Sequence, residues 1–395
     1  MEQALTYICK LLPTGEQVKH LDDTLSAFAD ACNWIHETVP KRIRNYLHMN
    51  EMVYHEVRDR FGLSANLAQQ AIRRVCANRK AAHTNKSKIV EFDATSIQYD
   101  QRIFSFCEAD WTVSLRLLDS RERFALDLGD YQRGKLAGKT STSAQLCRYR
   151  DGSYAIHIQI KVSVEPPAPT DKAIGVDLGR TDIAFTSRGK SWSGEQIRRI
   201  RDRYSRLRAA LERKATKGTR STRRRCRQLL KRLSGREKRF QRQTNHEISK
   251  DIVEAAQGEG AMVVLEDLTG IRARTNQQPR KKVERRRSNS WAFYQLRMFI
   301  GYKANLASVP VLLHDPRYTS QICHSCLHLG TRSGKRFACQ NPRCGWKGDS
   351  DWNAAMNLET LGLNLGQPRG PWIHCTLGGQ PAGLLKPPGF SHGDA

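Results

Sequence analysis

The chain has 395 residues, enough for two or three domains and a substantial buried core. Lys and Arg number 66 against 39 Asp and Glu, a formal net charge of +27 that predicts a polyanionic partner. No run approaches the roughly eighteen apolar residues of a membrane span. The opening MEQALTYICKLLPTGEQ lacks the basic start and apolar stretch of a signal peptide, so the expected anion is nucleic acid rather than lipid. Of eleven cysteines, seven are scattered singly and four cluster with metal-ligand spacing, which predicts a reducing compartment.

In chain order, a strand containing TYICKLL is halted by Pro13. Thr14-Gly15-Glu16-Gln17 fits a capping box, and Val18, Leu21, Leu25 and Phe28 then recur at helical spacing. Helices are predicted over 33–54 and 64–80, the second with Ser64 as N-cap and an outer face of Gln69, Gln70, Arg73 and Arg74. Such a face suits solvent or a DNA groove. From 103 to 164 the apolar period changes to two, and TVSLRLL, RFALDL and AQLCRYRDGSYAIHIQIKV read as strands, the last pair turned at Asp151-Gly152. Residues 165–170, EPPAPT, form a stiff linker and the expected domain boundary.

The run 173–179, AIGVDLG, reads as a strand with Ile174, Val176 and Leu178 on one face. Ala173, Gly175 and Asp177 lie on the other, leaving Asp177 over small neighbours with open space above. A lone carboxylate there is costly unless a cation joins it. IAFTSRGK is expected to return as a hairpin strand. Residues 195–245 then form a long helical pair with twenty Lys or Arg against four Asp or Glu. Its narrow apolar stripe is Ile200, Tyr204, Leu207 and Leu211, and the arginine density points to nucleic-acid contact. A helix over 246–256 feeds the strand VVLEDL, a second basic loop spans 272–287, and helix resumes over 291–306.

Cys323-His324-Ser325-Cys326 and Cys339-Gln340-Asn341-Pro342-Arg343-Cys344 supply four thiolates on two turns. That set satisfies tetrahedral Zn²⁺ with no open position, a structural site, with His324 and His328 as substitute ligands in reserve. Carboxylates recur in three segments: Asp177, the adjacent Glu266 and Asp267, and Asp349 with Asp351 at the start of a helix. Oxygen ligands from two strands and a helix suit Mg²⁺, and two ions about 4 Å apart activate a water and stabilise a leaving oxygen at a phosphodiester.

These residues resemble the TnpB family, transposon-encoded RNA-guided nucleases related to the compact type V CRISPR effectors. The resemblance spans roughly residues 5–360. It rests on GVDLG, HEISKDIVEAA followed by VVLEDLTGI, NSWAFYQLRMFIGYKA followed by DPRYTSQICHSC, and FACQNPRCGW with DSDWNAAMNL. It implies an α/β multidomain fold. An N-terminal wedge β-barrel, 1–13 and 96–164, would carry an inserted helical recognition domain, 14–95. An RNase H-like RuvC nuclease domain, 171–318, would carry the basic insertion 195–245, followed by a zinc ribbon at 319–348 and a final RuvC motif at 349–361. Residues 362–395, with eight Gly and five Pro, are expected to be a mobile tail.

By resemblance the catalytic, Mg²⁺-binding triad falls on Asp177, Glu266 and Asp351, with Asp267 and Asp349 beside it, and the zinc ligands on Cys323, Cys326, Cys339 and Cys344. Leu327 stands where the family usually has Gly, and the second cysteine pair is spaced by four. The implied function is Mg²⁺-dependent, RNA-guided cleavage of double-stranded DNA next to a short flanking motif, with guide pairing reading the target. Arg198, Arg201, Arg208, Arg223, Arg224 and Arg227 would grip phosphates, and Tyr54, Gln69, Gln70 and Arg73 would read the motif. The expected assembly is a monomer, or a homodimer on one RNA, in a prokaryotic cytoplasm beside the nucleoid. The competing readings are a compact type V effector with the same chemistry, an RNA-guided binding protein that does not cut, and a transposase that joins DNA ends.

Overall fold

Alternating side chains over the first residues form β1 (Glu2–Leu12), which buries Cys9 and Leu11 and leaves Ile8 and Leu12 in solvent. This computed structural model describes residues 2–89, 91–179, 181–268, 293–315 and 318–366. The chain divides between Ser163 and Val164 into two units.

In the first unit the capping box forms as expected, with the Gln17 amide donating to the Thr14 hydroxyl and the Gln17 side chain accepting from the Thr14 amide. It opens α1 (Gly15–Thr38). The helix expected over 33–54 is two helices, because Pro40 cannot continue α1 and disfavours helical backbone just before it. The second, α2 (Tyr46–Phe61), starts afresh at Asn45, whose side chain accepts from the Leu47 amide at 2.8 Å. The connection is held from α3 (Ala65–Thr84). Arg79 is buried there, and its guanidinium donates to the carbonyls of His36, Val39, Pro40 and Ile43 at 2.8–2.9 Å.

The strands are β2 (Ser96–Asp100), β3 (Phe104–Cys107), β4 (Thr112–Arg116), β5 (Arg121–Asp127), β6 (Ser141–Arg148) and β7 (Tyr154–Ser163), with a short helix α4 (Asp130–Leu136) between β5 and β6. Together with β1 they form one antiparallel sheet in the order β2-β6-β7-β1-β5-β4-β3. β2 and β3 are its edges, and β3 approaches β6 across the sheet. Gly152 takes φ +87° in the β6–β7 turn.

The second unit is built on β8 (Ala173–Asp177), β9 (Asp182–Thr186), β10 (Ser191–Ser193), β11 (Met262–Glu266) and β12 (Val311–His314), in the order β10-β9-β8-β11-β12. β8, β11 and β12 run parallel, and the β9–β10 hairpin is antiparallel at one side. Between β10 and β11 come α5 (Glu195–Lys217), α6 (Arg220–Leu233) and α7 (Arg236–Glu259), and α8 (Phe293–Leu306) precedes β12. The basic segment is therefore three helices rather than a pair, and its third runs without a break through the helix expected separately over 246–256. A three-stranded sheet of β13 (Gly330–Ser333), β14 (Arg336–Cys339) and β15 (Lys347–Asp349) leads into α9 (Ser350–Gly366).

The central strands bury both faces. Ile174, Val176, Val263 and Leu265 pack against Ile248 and Ile252 of α7 and Leu296 and Ile300 of α8. On the opposite face Ala173, Met262 and Val264 meet Leu358 of α9. α9 extends through 362–366, into what the sequence suggested was tail, and Gly362 lies so close to β11 that a Cβ there would meet the Val264 side chain at 2.3 Å. The basic loop 272–287 and residues 367–395 lie outside the described residues.

Candidate active site

The register that sets Val176 beside Leu265 makes Asp177 and Glu266 neighbours at the carboxyl ends of two parallel strands. The carboxyl edge of a parallel sheet is where such folds place their ligands. Both residues share the α9 face, following the alternation of 173, 175, 177 and 262, 264, 266. Gly175, between Ala173 and Asp177 on this face, has no open space above it. A Cβ there would sit 1.9 Å from the Ala355 carbonyl oxygen, so α9 lies directly on β8. This packing brings Asp351, in the first turn of α9, near enough for its charge to act on Asp177.

All three carboxylates are buried, at 9% exposure for Asp177, 8% for Glu266 and 4% for Asp351. Burial pushes the Asp177 carboxyl well above the ordinary carboxylate range, and the charges of Glu266 and Asp351 push it further. Burial also raises Glu266 and Asp351, opposed in both by the Arg332 guanidinium. Thr319 donates its hydroxyl to Glu266 Oε1. Asp349 lies near enough for its charge to raise Asp177 and Asp351 further, and it also holds the helix start. Its Oδ1 caps α9, accepting from the amides of Asp351 at 2.7 Å and Trp352 at 3.1 Å. Asp267 turns to Arg297, 2.5 Å away.

Sequence reasoning missed Asp182, Arg332 and Lys335. Asp182 is buried at the start of β9 and receives Lys335 Nζ at 2.5 Å, while Arg332 Nη2 meets Asp351 Oδ1 at 2.7 Å. Their meeting depends on β13 and β14 folding back onto α9, which no local pattern announces.

The sulfurs of Cys323, Cys326, Cys339 and Cys344 lie within 4.8 Å of one another. The close pairs, Cys323–Cys344 at 3.9 Å and Cys326–Cys339 at 3.4 Å, bracket the edge of about 3.8 Å that four Zn–S bonds of about 2.3 Å would give. This geometry fits a bound Zn²⁺. Backbone donation from Trp346 pulls the Cys344 thiol down to about 7, whereas burial raises Cys323 and pushes Cys339 up to about 12. Neither histidine serves as a reserve ligand: the amide and Nδ1 of His324 both lie against Asn353 Oδ1, and His328 Nδ1 lies 3.0 Å from the Cys326 carbonyl. Asn353 and Asn357 of α9 donate to the Ile322 carbonyl and so fasten the cysteine module to the helix. Leu327 takes φ +59°, a left-handed conformation that glycine adopts without strain.

The expected nucleic-acid contacts divide. Arg198, Arg223, Arg224 and Arg227 are exposed along α5 and α6, which share a small core of Leu211, Ala215 and Cys226. Arg201 and Arg208 are instead drawn to Glu237 of α7. Gln70 is not on an outer face: it is buried and donates to Asp100 Oδ2 at 3.2 Å, while Arg74 donates to Ser96. Arg73 is exposed over the Tyr46 ring, Gln69 is half-buried, and Tyr54 is half-buried beneath Arg58.

Comparison with known proteins adds five findings. Residues 157–270 match a family described as a probable transposase, and residues 293–358 match one described as Cas12f1-like, TNB domain. The chain is 30% identical over 239 residues to a CRISPR-associated endodeoxyribonuclease Cas12f1 of Sulfoacidibacillus thermotolerans, covering 56% of this chain and 54% of that protein. It is 31% identical over 177 residues to a TnpB-like protein of Methanocaldococcus jannaschii, covering 45% and 61%. The chain thus spans about half to three-fifths of the length of these curated relatives. A cryo-EM structure of a Cas12f1–sgRNA–target DNA complex shares its fold at a TM-score of 0.56 and 14% identity, over 87% of this chain and 80% of the other. By these matches the chain is similar to TnpB-like proteins and to the CRISPR-associated Cas12f nucleases over parts of its length.

Proposed function

We propose that the protein is an RNA-guided DNA endonuclease whose chemistry resides in Asp177, Glu266 and Asp351. The observation that carries this reading is the convergence of three buried carboxylates at the carboxyl edge of β8 and β11, each pushed toward its neutral form. Crowded hard oxygen donors of that kind fit a divalent cation, whose charge would relieve their repulsion. The central parallel strands with a flanking hairpin support an RNase H-like RuvC domain, and the seven-stranded antiparallel sheet with α1–α3 supports a wedge and recognition module.

In this reading Asp177, Glu266 and Asp351 would hold two Mg²⁺, which would supply an activated water and charge stabilisation at the phosphodiester. The chain's own residues set the geometry. Gly175 lets α9 approach, so Asp351 is delivered to the strand ends; Asp349 fixes the first turn of that helix; Thr319 orients Glu266. The four cysteines would hold a structural Zn²⁺, which would shape the hairpin beside the site. The exposed arginines of α5 and α6 hold nucleic acid by its phosphates, without reading sequence.

The matches include both a TnpB-like protein and a CRISPR-associated nuclease, so the guide derives from a transposon end or from a repeat array. Sequencing the RNA that co-purifies from cells carrying the native flanking DNA tests both points. One defined species with a constant scaffold and a variable end is expected, and its origin identifies the source. Heterogeneous cellular RNA alone would contradict guided action.

A further inference from the structure

The cysteine module does more than sit beside the acidic pocket. Two of its side chains enter it, both from one hairpin: Arg332 on β13 and Lys335 just past the turn. The hairpin is pinned to the start of α9, where the Ser350 amide donates to the Lys335 carbonyl at 2.9 Å and the Ser350 hydroxyl to the Gly334 carbonyl at 3.1 Å. Its second strand, β14, pairs Arg336 with Asp349 and ends on the zinc ligand Cys339. One short strand therefore joins the thiolate cluster to the carboxylates.

The pairs are asymmetric. The Asp351 and Asp182 side chains are 6% and 8% exposed, whereas those of Arg332 and Lys335 are 39% and 48% exposed. The anions cannot leave, and buried carboxylates without a counter-charge are strongly unfavourable. The cations reach in from solvent on long flexible stems and return to water at little cost. The geometry points to a displaceable plug: Arg332 and Lys335 neutralise the acidic pocket while divalent metal is absent, and incoming metal ions compete with them for Asp351 and Asp182. The pocket stays folded without metal, and metal affinity is held down until substrate phosphates add ligands of their own. Because the same hairpin carries Cys339, zinc occupancy sets how well the plug is aimed.

This inference rests on the metal-ion reading above. It is tested by titrating the zinc-loaded, nucleic-acid-free full chain with Mn²⁺ alone, following free Mn²⁺ by electron paramagnetic resonance, with zinc content measured in each sample. Lys335→Met and Arg332→Met are each expected to bind Mn²⁺ about five-fold or more tighter than wild type, with zinc unchanged. Lys335→Gln gives the same readout should methionine at the turn disturb folding. Affinity equal to or weaker than wild type, with zinc retained, overturns the plug. Asp177→Ala identifies the relevant site by removing it. A wild type with no Asp177-dependent Mn²⁺ site overturns the metal reading and the plug together, so the two failures are distinguishable.

Discussion

Gly175 lies beneath Ala355 so closely that a Cβ on the first would stand 1.9 Å from the carbonyl oxygen of the second and 2.6 Å from the Glu359 amide. Backbone cannot yield as a flexible side chain can, so any side chain at 175 must lift α9 from β8. Since α9 carries Asp351, one missing methyl group decides whether the third carboxylate reaches the other two.

Gly175→Ala is therefore expected to cost about 3 kcal/mol, the upper end of overpacking effects, and to abolish DNA cleavage. Thermal unfolding and a cleavage assay on the same preparation check it. A stable, fully active variant would show that the helix is not seated as described.

The carboxylates make metal-free stability depend on pH. Burial and its neighbours raise Asp177 in the folded state, so the folded protein holds that proton more tightly than the unfolded chain. The resulting stabilisation is full below the ordinary carboxylate range and is lost as pH rises through the raised value. Metal-free protein should accordingly become less stable from about pH 4 toward neutrality, and Mg²⁺ should restore stability at neutral pH but not in acid. Asp177→Asn should stabilise the metal-free protein at neutral pH by at least about 1 kcal/mol, while removing most of the response to Mg²⁺. Melting curves with and without Mg²⁺ across this range decide the matter.

Leu327 carries left-handed strain that glycine would not, on the order of 1–2 kcal/mol. Leu327→Gly should slow zinc loss to a chelator several-fold. In contrast, Cys339→Ser leaves three thiolates and should lower zinc content from one per chain to well below it. Atomic absorption and a chelator time course separate the two.

For the basic helices, Arg223, Arg224 and Arg227 together are expected to contribute to affinity without sequence preference. Replacing all three with Ala should weaken binding to any single- or double-stranded probe and flatten the log affinity against log salt slope by about 2–3. Gln70→Ala, by contrast, removes a buried partner of Asp100. Its expected effect is lost stability rather than altered motif preference, and a melting curve beside a randomised-flank library tells these apart.

What the sequence made legible was local. The Asp177 strand, the Thr14 capping box, the turn at Gly152 and the two cysteine pairs are each written in a few consecutive residues, so period and spacing suffice. The break at Pro40 was equally local, yet the helix expected over 33–54 ran through it. Arg79, Thr319, Arg332 and Lys335 act on partners brought close only by tertiary folding, as Arg79 does on the carbonyls of His36 to Ile43. Gln70 shows the opposite error, since an amide at the edge of an apolar stripe reads as surface until a strand, here β2, supplies its hydrogen-bond partner.

The central claim is that Asp177, Glu266 and Asp351 cut DNA under RNA guidance. Its most direct test is cleavage of a matching duplex in Mg²⁺ by wild type and by Asp177→Ala, each carrying the co-purified RNA, with binding to an unlabelled competitor-resistant target measured alongside. Mg²⁺-dependent cutting is expected of the wild type only, with guided binding retained in the variant. Full cleavage by Asp177→Ala would contradict the assigned site, and binding without cutting by wild type would contradict the nuclease itself.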